Sequence, residues 1–316
     1  MASIDSHVHV NYNGFSSGEI IKYLDRERID FCWVLSWEEI NPGPWIYNHL
    51  PVEDIHEAYL KYPSRIIPFY APDPQGNDAA AKLENWHSKG IRGCGELKAT
   101  LNWDSKQVMG ILQAARRLKT PVVFHMEESG CRIPYSEKLF YRLLYYGLET
   151  KKKVYKIPQG ILQLLVKSYA PLRNKTESFI FPGYMLDMAS LENTLRIYPD
   201  INFIAHGPMF WKHISADGAI RSEVYPTGLV TGEGIIWRLL SDYPNLYADT
   251  SADSGLNAFT RDPENAKRFL SLFEDKILFG TDNVMKGQRG FLNSLTLSKS
   301  TFKKICGDNA HRLINI

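Results

Sequence analysis

Eight short apolar segments recur along the 316-residue chain and constrain its fold more than any other feature. They cover residues 3–10, 31–37, 66–71, 90–97, 121–126, 201–205, 246–250 and 277–281. Each is rich in Ile, Val, Phe or Tyr, which is typical of buried parallel strands. Amphipathic segments with helical spacing lie between several of them, at 18–28, 52–61, 79–89, 105–118 and 187–198. Eight strands that alternate with helices predict an α/β fold, a (β/α)8 TIM barrel, rather than a doubly wound sheet.

The interval between the fifth and sixth predicted strands is much longer than the others. A barrel of this kind needs about 250 residues, and most of the excess in this chain lies here. Residues 135–168 have a helical pattern. We therefore predict one domain over residues 1–316, with a helical insertion after the fifth strand that forms a lid over the carboxyl end of the barrel.

Composition excludes several classes of protein. The formal net charge is +2, which gives no reason to expect a nucleic-acid or anionic-membrane partner. The N-terminal residues have neither a basic start nor an apolar run, and no stretch of about 18 apolar residues occurs. The four cysteines lack metal-finger spacing and are expected to be reduced thiols. We expect a cytoplasmic protein that acts on a small molecule, and homo-oligomer formation stays open.

Two histidines stand one residue apart in the first predicted strand, in the sequence DSHVH. Side chains two residues apart in a strand point to the same face, so His7 and His9 project together. Two imidazoles at this spacing can hold one metal ion. The alternative is a chance pair, in which one ring is buried and hydrogen-bonded and the other is exposed to water.

Three further strands end in a residue that can bind metal or carry a proton. His125 ends the fifth apolar segment, His206 ends the sixth, and Asp282 ends the eighth. Catalytic residues of TIM barrels come from the carboxyl ends of several strands. A single buried histidine is more often a core residue, but the set as a whole, in register with the strand count, indicates an active site.

The chain resembles the amidohydrolase superfamily, in the branch of aminocarboxymuconate-semialdehyde decarboxylase and its hydrolase and hydratase relatives. The matching motifs are DSHVH at 5–9, FHME at 124–127, FIAHG at 203–207, FGTDN at 279–283 and GDNAHRL at 307–313. They run in order from the beginning to the end of the chain. As a set they are specific for the superfamily and much less specific for one reaction.

The resemblance implies a role for each of these residues. The residues that correspond to metal ligands are His7, His9, His125 and Asp282. Asp282 also handles a proton, and His206 acts on substrate or water rather than as a permanent ligand. Asp5 is expected to orient the first strand through a hydrogen bond. Three imidazoles and a carboxylate suit one zinc ion per chain, while manganese, iron and nickel stay open.

The fourth strand departs from the pattern of binuclear relatives, which carry a carboxylated lysine there. Here the sequence reads GCGELK, and Glu96 and Lys98 share a face by the two-residue rule. Glu96 is either a metal ligand or a residue that shapes the pocket, and Lys98 is either a surface residue or a substrate anchor. Gly93 and Gly95 are expected to allow close packing in the barrel rather than to form a dinucleotide loop.

Residues in the loops after the strands suggest a flat, cyclic or carboxylated substrate. Trp37 and Trp211 would suit a ring, and Arg132 could pair with a carboxylate. His213 lies either in the pocket or on the surface. The candidate substrate-binding residues are thus Trp37, Arg132, Trp211 and His213.

The sequence favours a metal-dependent hydrolase, in which metal-activated water attacks the C–N or C–O bond of an amide or lactone. The alternative within the same branch is a non-oxidative decarboxylase or hydratase, which uses the same ligands. An anion-binding clamp beside the metal would favour this lyase. A barrel that binds metal without catalysis is a third alternative, and the complete set of candidate ligands argues against it.

Overall fold

Parallel strands form the centre of the protein and set the position of every candidate site residue. The computed structural model describes residues 2–12, 15–38, 49–128, 182–185, 187–283 and 287–314, together with the backbone of 132–134 and 178–180. The barrel strands are β1 (Ile4–Val8), β2 (Phe31–Val34), β3 (Ile66–Pro68), β4 (Cys94–Leu97), β5 (Val122–His125), β8 (Phe203–His206), β9 (Leu246–Asp249) and β10 (Ile277–Leu278). Each lies within one of the eight predicted segments or, for β8, runs one residue beyond it.

The strand order is that of a (β/α)8 barrel. The pairs are parallel and run β1–β2–β3 and β4–β5–β8–β9–β10. A parallel bridge between Phe69 and Gly93 connects the β3 side to the β4 side. The amide of Ser6 donates to the carbonyl of Phe279 at 2.9 Å, which connects β1 to the β10 side. The predicted fold class is therefore confirmed.

Helices follow the strands in the alternation that the sequence predicts. They are α1 (Ser17–Glu27), α2 (Val52–Lys61), α3 (Ala79–Ser88), α4 (Lys106–Leu118), α5 (Met188–Ile197), α6 (Pro208–Lys212), α7 (Ile235–Asp242), α8 (Ala252–Thr260), α9 (Pro263–Leu272), α10 (Gln288–Ser294), α11 (Lys299–Lys303) and α12 (Asn309–Ile314). A 3-10 turn spans Gly218–Ile220 and a π-helical segment spans Lys304–Asp308. The first five helices match the five predicted amphipathic segments, and α1 begins with a capping box between Ser16 and Glu19.

The core has an inner and an outer layer because strand side chains alternate between the two faces. The inner cluster includes Ile4, Trp33, Leu35, Ile67, Phe69, Val123, Ile204, Tyr247 and Leu278. The outer, larger cluster packs the alternate strand residues against the helices. A Cβ at Gly93 would lie 2.0 Å from the Phe69 ring, and one at Gly95 would lie 2.9 Å from Val123 Cβ. Both glycines therefore serve close packing, as expected.

The long interval after β5 contains one described feature, an antiparallel pair. β6 (Arg132–Pro134) pairs with β7 (Ser178–Ile180). The predicted helical lid at 135–168 lies outside the described residues, so it stays a prediction. Within the described part of the chain, no helix is long and apolar enough to cross a membrane.

Candidate metal centre

Side chains from six barrel strands meet at the carboxyl end of the barrel. They are His7 and His9 on and after β1, Glu96 and Lys98 on and after β4, His125 on β5, His206 on β8, Asp249 on β9, and Asp282 after β10. Parallel strands end at the same edge, which explains why residues so distant in sequence come together. All are buried except Asp282, whose side chain is 20% exposed. The centre therefore opens to solvent on the Asp282 side.

Three imidazole rings are oriented by hydrogen bonds at Nδ1, and their Nε2 atoms face the centre. His7 Nδ1 lies 2.8 Å from Asp249 Oδ2, and His206 Nδ1 lies 3.0 Å from Asp249 Oδ1. His9 Nδ1 lies 2.8 Å from the Leu35 carbonyl. Carboxylate and carbonyl oxygens only accept, so each ring donates from Nδ1. In a neutral ring, Nε2 then carries the lone pair that a metal ion requires.

The inward atoms form a cluster of acceptors that fits a divalent cation. His7 Nε2 and His9 Nε2 are 3.2 Å apart. Asp282 Oδ1 lies 3.0 Å from His9 Nε2, and Glu96 Oε2 lies 3.5 Å from both ring nitrogens. Buried acceptors at these separations are unfavourable unless a positive charge lies among them. Nitrogen and carboxylate donors are the set that zinc and manganese use, so the residues fit the metal.

Among the residues that the structure describes, two groups of three ligand atoms could hold a metal ion. Within each group, all three atoms lie within 4.8 Å of one another. One is His7, Glu96 and His206, and the other is His7, His9 and Asp282. His7 belongs to both and offers one inward nitrogen, because Asp249 holds its other nitrogen. A single nitrogen binds one ion, so the two groups cannot both use His7 for separate ions, and one ion per chain stays a prediction.

His125 and His206 are placed differently from the roles that the resemblance implies. His206 belongs to a candidate ligand group, whereas His125 belongs to neither. Both nitrogens of His125 face carboxylates, with Nδ1 2.7 Å from Glu96 Oε1 and Nε2 3.1 Å from Glu127 Oε2. The assignment of His125 as ligand and His206 as proton carrier thus stays a prediction, and metal content in variants will test it.

The electrostatics of His7 show how strongly this centre favours positive charge. Burial alone would lower the pKa of His7, but Asp249 and Glu96 raise it well above its ordinary value. Burial likewise opposes ionisation of Asp249, and His206 and His7 nevertheless lower the pKa of that carboxyl. The surroundings thus stabilise a cation at His7 Nε2. A divalent ion can supply that charge in place of the proton.

Lys98 places an ammonium group in the metal centre. Its Nζ lies 2.5 Å from Glu96 Oε2 and 3.7 Å from the centroid of the Trp37 ring, and the side chain is buried. The alternative that Lys98 is a surface residue is therefore wrong. Burial lowers the pKa of Lys98 although Glu96 opposes this. Burial would raise the pKa of Glu96, but Lys98 and His125 hold it well below its usual range.

Asp5 connects the first strand to the segment that carries Asp282. It accepts hydrogen bonds from the His7 amide at 3.1 Å, the Tyr23 hydroxyl at 2.8 Å and the Thr281 hydroxyl at 2.7 Å. Burial raises the pKa of Asp5 to about 6. The orienting role expected for Asp5 agrees with these contacts.

The four candidate substrate-binding residues have different positions. Trp37 lies beside the centre, with its ring centroid 4.8 Å from that of His9. Trp211 is instead a core residue, because its ring packs on Phe259 and its N–H donates to the Asp249 carbonyl at 3.0 Å. The expected substrate contact of Trp211 is therefore corrected to a packing role behind β9.

His213 is buried, so its surface alternative is wrong. Burial and the neighbouring Lys212 lower the pKa of His213. Among the described residues, no hydrogen bond or candidate ligand group links its ring to the metal centre, and its pocket role stays a prediction. The backbone of Arg132 lies in β6, and its side chain falls outside the described part of the structure.

Sequence reasoning missed Asp249 and Glu127. Asp249 ends the seventh strand, in LYAD, in the same way that His206 ends the sixth. It also accepts from the Ser251 amide at 3.0 Å, so both of its oxygens are used. Glu127 lies two residues after His125 and hence on the same face. The rules applied to the other strand ends would have found both residues.

Comparisons with known proteins identify the family and support the fold. The sequence model of a family described as Amidohydrolase matches residues 4–316. An uncharacterised TIM-barrel protein from Bordetella bronchiseptica is similar in structure, with 12% identity, a TM-score of 0.59, and 100% and 99% of the two chains covered. No curated protein matches in sequence.

Two solved decarboxylases are also similar. One is 5-carboxyvanillate decarboxylase from Novosphingobium aromaticivorans complexed with manganese, with 16% identity, a TM-score of 0.50, and 96% and 81% of the two chains covered. The other is a 2,6-dihydroxybenzoate decarboxylase, with 15% identity, a TM-score of 0.54 and 100% of both chains covered. At these identities the likeness shows the shared fold.

Proposed function

The chain belongs to the amidohydrolase family, as a metal-dependent enzyme of that superfamily, and from this premise we propose that it is a non-oxidative decarboxylase of a small aromatic or unsaturated carboxylic acid. The observation that carries the proposal is the buried Lys98 beside the candidate metal ligands. A charge in a low-dielectric site attracts an anion far more strongly than the same charge in water. In this proposal Lys98, which pairs with Glu96, is the group that would bind the substrate carboxylate, and an anion-binding group beside the metal favours the lyase.

The aromatic residues around the centre suit a planar acid. The Trp37 ring lies edge-on to His9 and to Tyr12, with centroid separations of 4.8 and 5.7 Å. On the other side, the Tyr184 ring lies 6.1 Å from that of His125. Offset and edge-to-face contacts of this kind stabilise a bound ring. That two structural relatives are decarboxylases of aromatic acids is consistent with the same substrate class.

The chemistry would divide between the metal and the side chains. A divalent ion, when bound, supplies Lewis-acid polarisation of a substrate oxygen. We propose that His7, His9, His125 and Asp282 hold it, with Glu96 adjacent. Three imidazoles and a carboxylate favour zinc, and the manganese in one relative makes manganese the second metal to test.

The side chains orient the acid and move one proton. Lys98 would bind the substrate carboxylate, and Trp37 would pack on the ring. When the bond between the ring carbon and the carboxyl carbon breaks, CO2 leaves and the electron pair stays on the ring carbon. That carbon then takes a proton that water supplies through Asp282, whose side chain is partly exposed, and the hydroxide left behind combines with the released CO2 as bicarbonate.

Hydrolysis of an amide or lactone is the second candidate function. It is favoured by the same exposure of Asp282, since water can reach this carboxylate at the open side of the centre. Asp282 would then accept a proton from the attacking water and return it to the leaving group. His206 would polarise the substrate carbonyl or donate a proton.

A paired substrate screen separates the two functions. Chelated protein is reloaded with Zn²⁺ or Mn²⁺ and assayed for CO2 release from hydroxybenzoates and carboxyvanillates, and for hydrolysis of a panel of lactones and amides. We expect turnover of an acid, its loss in Asp282→Asn, and a raised KM in Lys98→Gln. Turnover of lactones or amides alone would overturn the lyase proposal in favour of hydrolysis. Absence of metal after reloading would overturn both.

A further inference from the structure

Backbone hydrogen bonds join β1 to the segment that follows β10. The Ser6 amide donates to the Phe279 carbonyl at 2.9 Å, and the Asp282 amide donates to the His7 carbonyl at 2.7 Å. Beyond this point the chain leaves the strand direction, because Asp282 and Asn283 both have positive φ angles, at 53° and 55°. Aspartate and asparagine adopt this left-handed conformation more readily than most residues. A side chain makes the next contact between the two segments.

The side-chain amide of Asn283 takes the place of a backbone peptide opposite His9. The His9 N–H donates to Asn283 Oδ1 at 2.8 Å, and Asn283 Nδ2 donates to the His9 carbonyl at 2.7 Å. The same nitrogen also donates to the Tyr12 carbonyl at 3.2 Å. This orientation of the amide pairs every donor with an acceptor, because a backbone N–H only donates and a carbonyl only accepts. Asn283 thus binds both polar groups of the His9 backbone, and we call this pair of bonds the Asn283 clamp.

The Asn283 clamp joins the backbones of two candidate metal ligands. Asp282 directly precedes Asn283, and Asp282 Oδ1 lies 3.0 Å from His9 Nε2. The Leu35 carbonyl fixes the orientation of the His9 ring through Nδ1, while Asn283 fixes the position of the His9 backbone. Asn283 is only 6% exposed, so water does not readily replace a bond that is lost there. The separation of the two ligand atoms therefore depends on this amide.

We propose that Asn283 is a positioning residue of the metal centre, which keeps the ligand atoms of His9 and Asp282 close enough to share one divalent ion. This inference rests on the proposed function, since it requires a metal ion at the centre. It gives a role to the last residue of the motif FGTDN, in which the aspartate is the candidate ligand. Asn283 does not itself bind the ion in this proposal, because both ends of its amide are used by the backbone.

Zinc affinity in variants of the full chain tests the Asn283 clamp. Asn283→Gly deletes the amide, and glycine adopts a positive φ without strain, so the variant loses the hydrogen bonds but not the backbone conformation. Calorimetric titration of the chelated protein with Zn²⁺ should show an affinity about 10- to 100-fold below that of the parent, as for other residues that orient metal ligands. Asn283→Ser retains a short hydroxyl and is the milder variant if Asn283→Gly folds poorly. Its affinity should fall in the same direction.

Asn309 provides a matched control at the opposite end of β10. It is buried, and its Nδ2 donates to the carbonyls of Glu274 and Ile277, each at 2.7 Å. Asn309→Ala removes the same kind of amide from the same kind of partners, and alanine suits the helix α12. It should lower the free energy of unfolding in urea but leave zinc affinity unchanged. Added Zn²⁺ should also stabilise Asn283→Gly less than Asn309→Ala, because stabilisation by a ligand decreases with its affinity.

The outcomes separate this inference from the proposed function. Parental zinc affinity in a folded Asn283 variant, or an equal loss of affinity in Asn309→Ala, would overturn the positioning role and leave the metal centre intact. If the parent protein itself binds neither Zn²⁺ nor Mn²⁺, the metal assignment fails and the role of Asn283 fails with it. If the parent binds Zn²⁺ but releases CO2 from no acid of the screen, decarboxylation is refuted, while a loss of affinity confined to the Asn283 variants still supports the clamp.

Discussion

Two ion pairs of this protein have nearly the same length and opposite surroundings. Lys98 lies 2.5 Å from Glu96 at the buried metal centre, and Arg238 lies 2.7 Å from Glu192 between the outer helices α7 and α5. The first pair is almost inaccessible to water, while the Arg238 side chain is 49% exposed. Solvent replaces a lost partner at the surface but not in the interior. Distance alone therefore says little about what an ion pair does.

The largest effect on turnover is expected from a substitution of His206 in the metal centre. His206→Asn should lower turnover of the identified substrate by about 10²–10⁴-fold, the usual worth of a proton-transfer group. If the roles implied by the resemblance hold, metal content stays near that of the parent, whereas His7→Asn loses metal. Elemental analysis of both variants checks this. Equal metal loss in the two would make His206 a ligand, as its grouping with His7 and Glu96 allows.

Removing the cation of the buried pair should cost more stability than any surface substitution. Lys98→Met leaves the Glu96 carboxylate buried beside Asp282 without its ammonium, which costs about 3–5 kcal/mol in free energy of unfolding. Urea denaturation in the presence of a chelator measures it. With Zn²⁺ bound the loss should be smaller, because the ion compensates the same carboxylate. An equal loss with and without metal would argue that Glu96 and the ion do not interact.

Asp249, which accepts hydrogen bonds from His7 and His206, should affect the affinity of the centre for metal. Asp249→Asn keeps the shape of the side chain but weakens the hydrogen bonds that hold His7 and His206, and outer partners of this kind are worth about 10- to 100-fold in affinity. Calorimetric titration with Zn²⁺ gives the value. Ser251→Ala is the matched control, since its hydroxyl touches the same carboxylate, and it should change affinity much less. Unaltered affinity in Asp249→Asn would contradict the role given to Asp249.

The smallest effect is expected at the surface pair. Glu192→Gln should change the free energy of unfolding by about 0–1 kcal/mol. Its hydrogen bond with Arg238 lowers the pKa of Glu192 to about 2, from 4.5. A lowered folded-state pKa means that the contribution is present above pH 4.5 and is lost as the pH falls through about 2. Denaturation curves of parent and variant should therefore converge in acid, and a difference that grows in acid would be inconsistent with this pair.

The sequence predicted which residues reach the carboxyl end of the barrel, but not how they contact one another. The two-residue rule placed His7 with His9 and Glu96 with Lys98, because strand geometry alone decides which face a side chain takes. Whether a ring nitrogen faces the centre or a carboxylate depends on contacts between strands far apart in sequence, such as that of His125 with Glu96. No local pattern contains that information.

Aromatic residues in the loops were the least predictable. Trp37 and Trp211 both follow strands, yet one lies beside His9 and the other packs behind β9. An indole favours burial in either place, so hydrophobicity does not distinguish a pocket wall from a core residue. The side that a loop residue faces follows from the path of the whole loop.

One carboxylate anchors two rings, since Asp249 gives one oxygen to His7 and the other to His206. The orientations of these imidazoles are therefore not independent, and the two residues should behave non-additively in a double-mutant cycle. A homologous chain could retain every histidine of the ligand motifs and yet lose the centre through a change at this single aspartate. A search for functional members of such a set should thus ask for the acid at the end of the seventh strand as well as for the histidines.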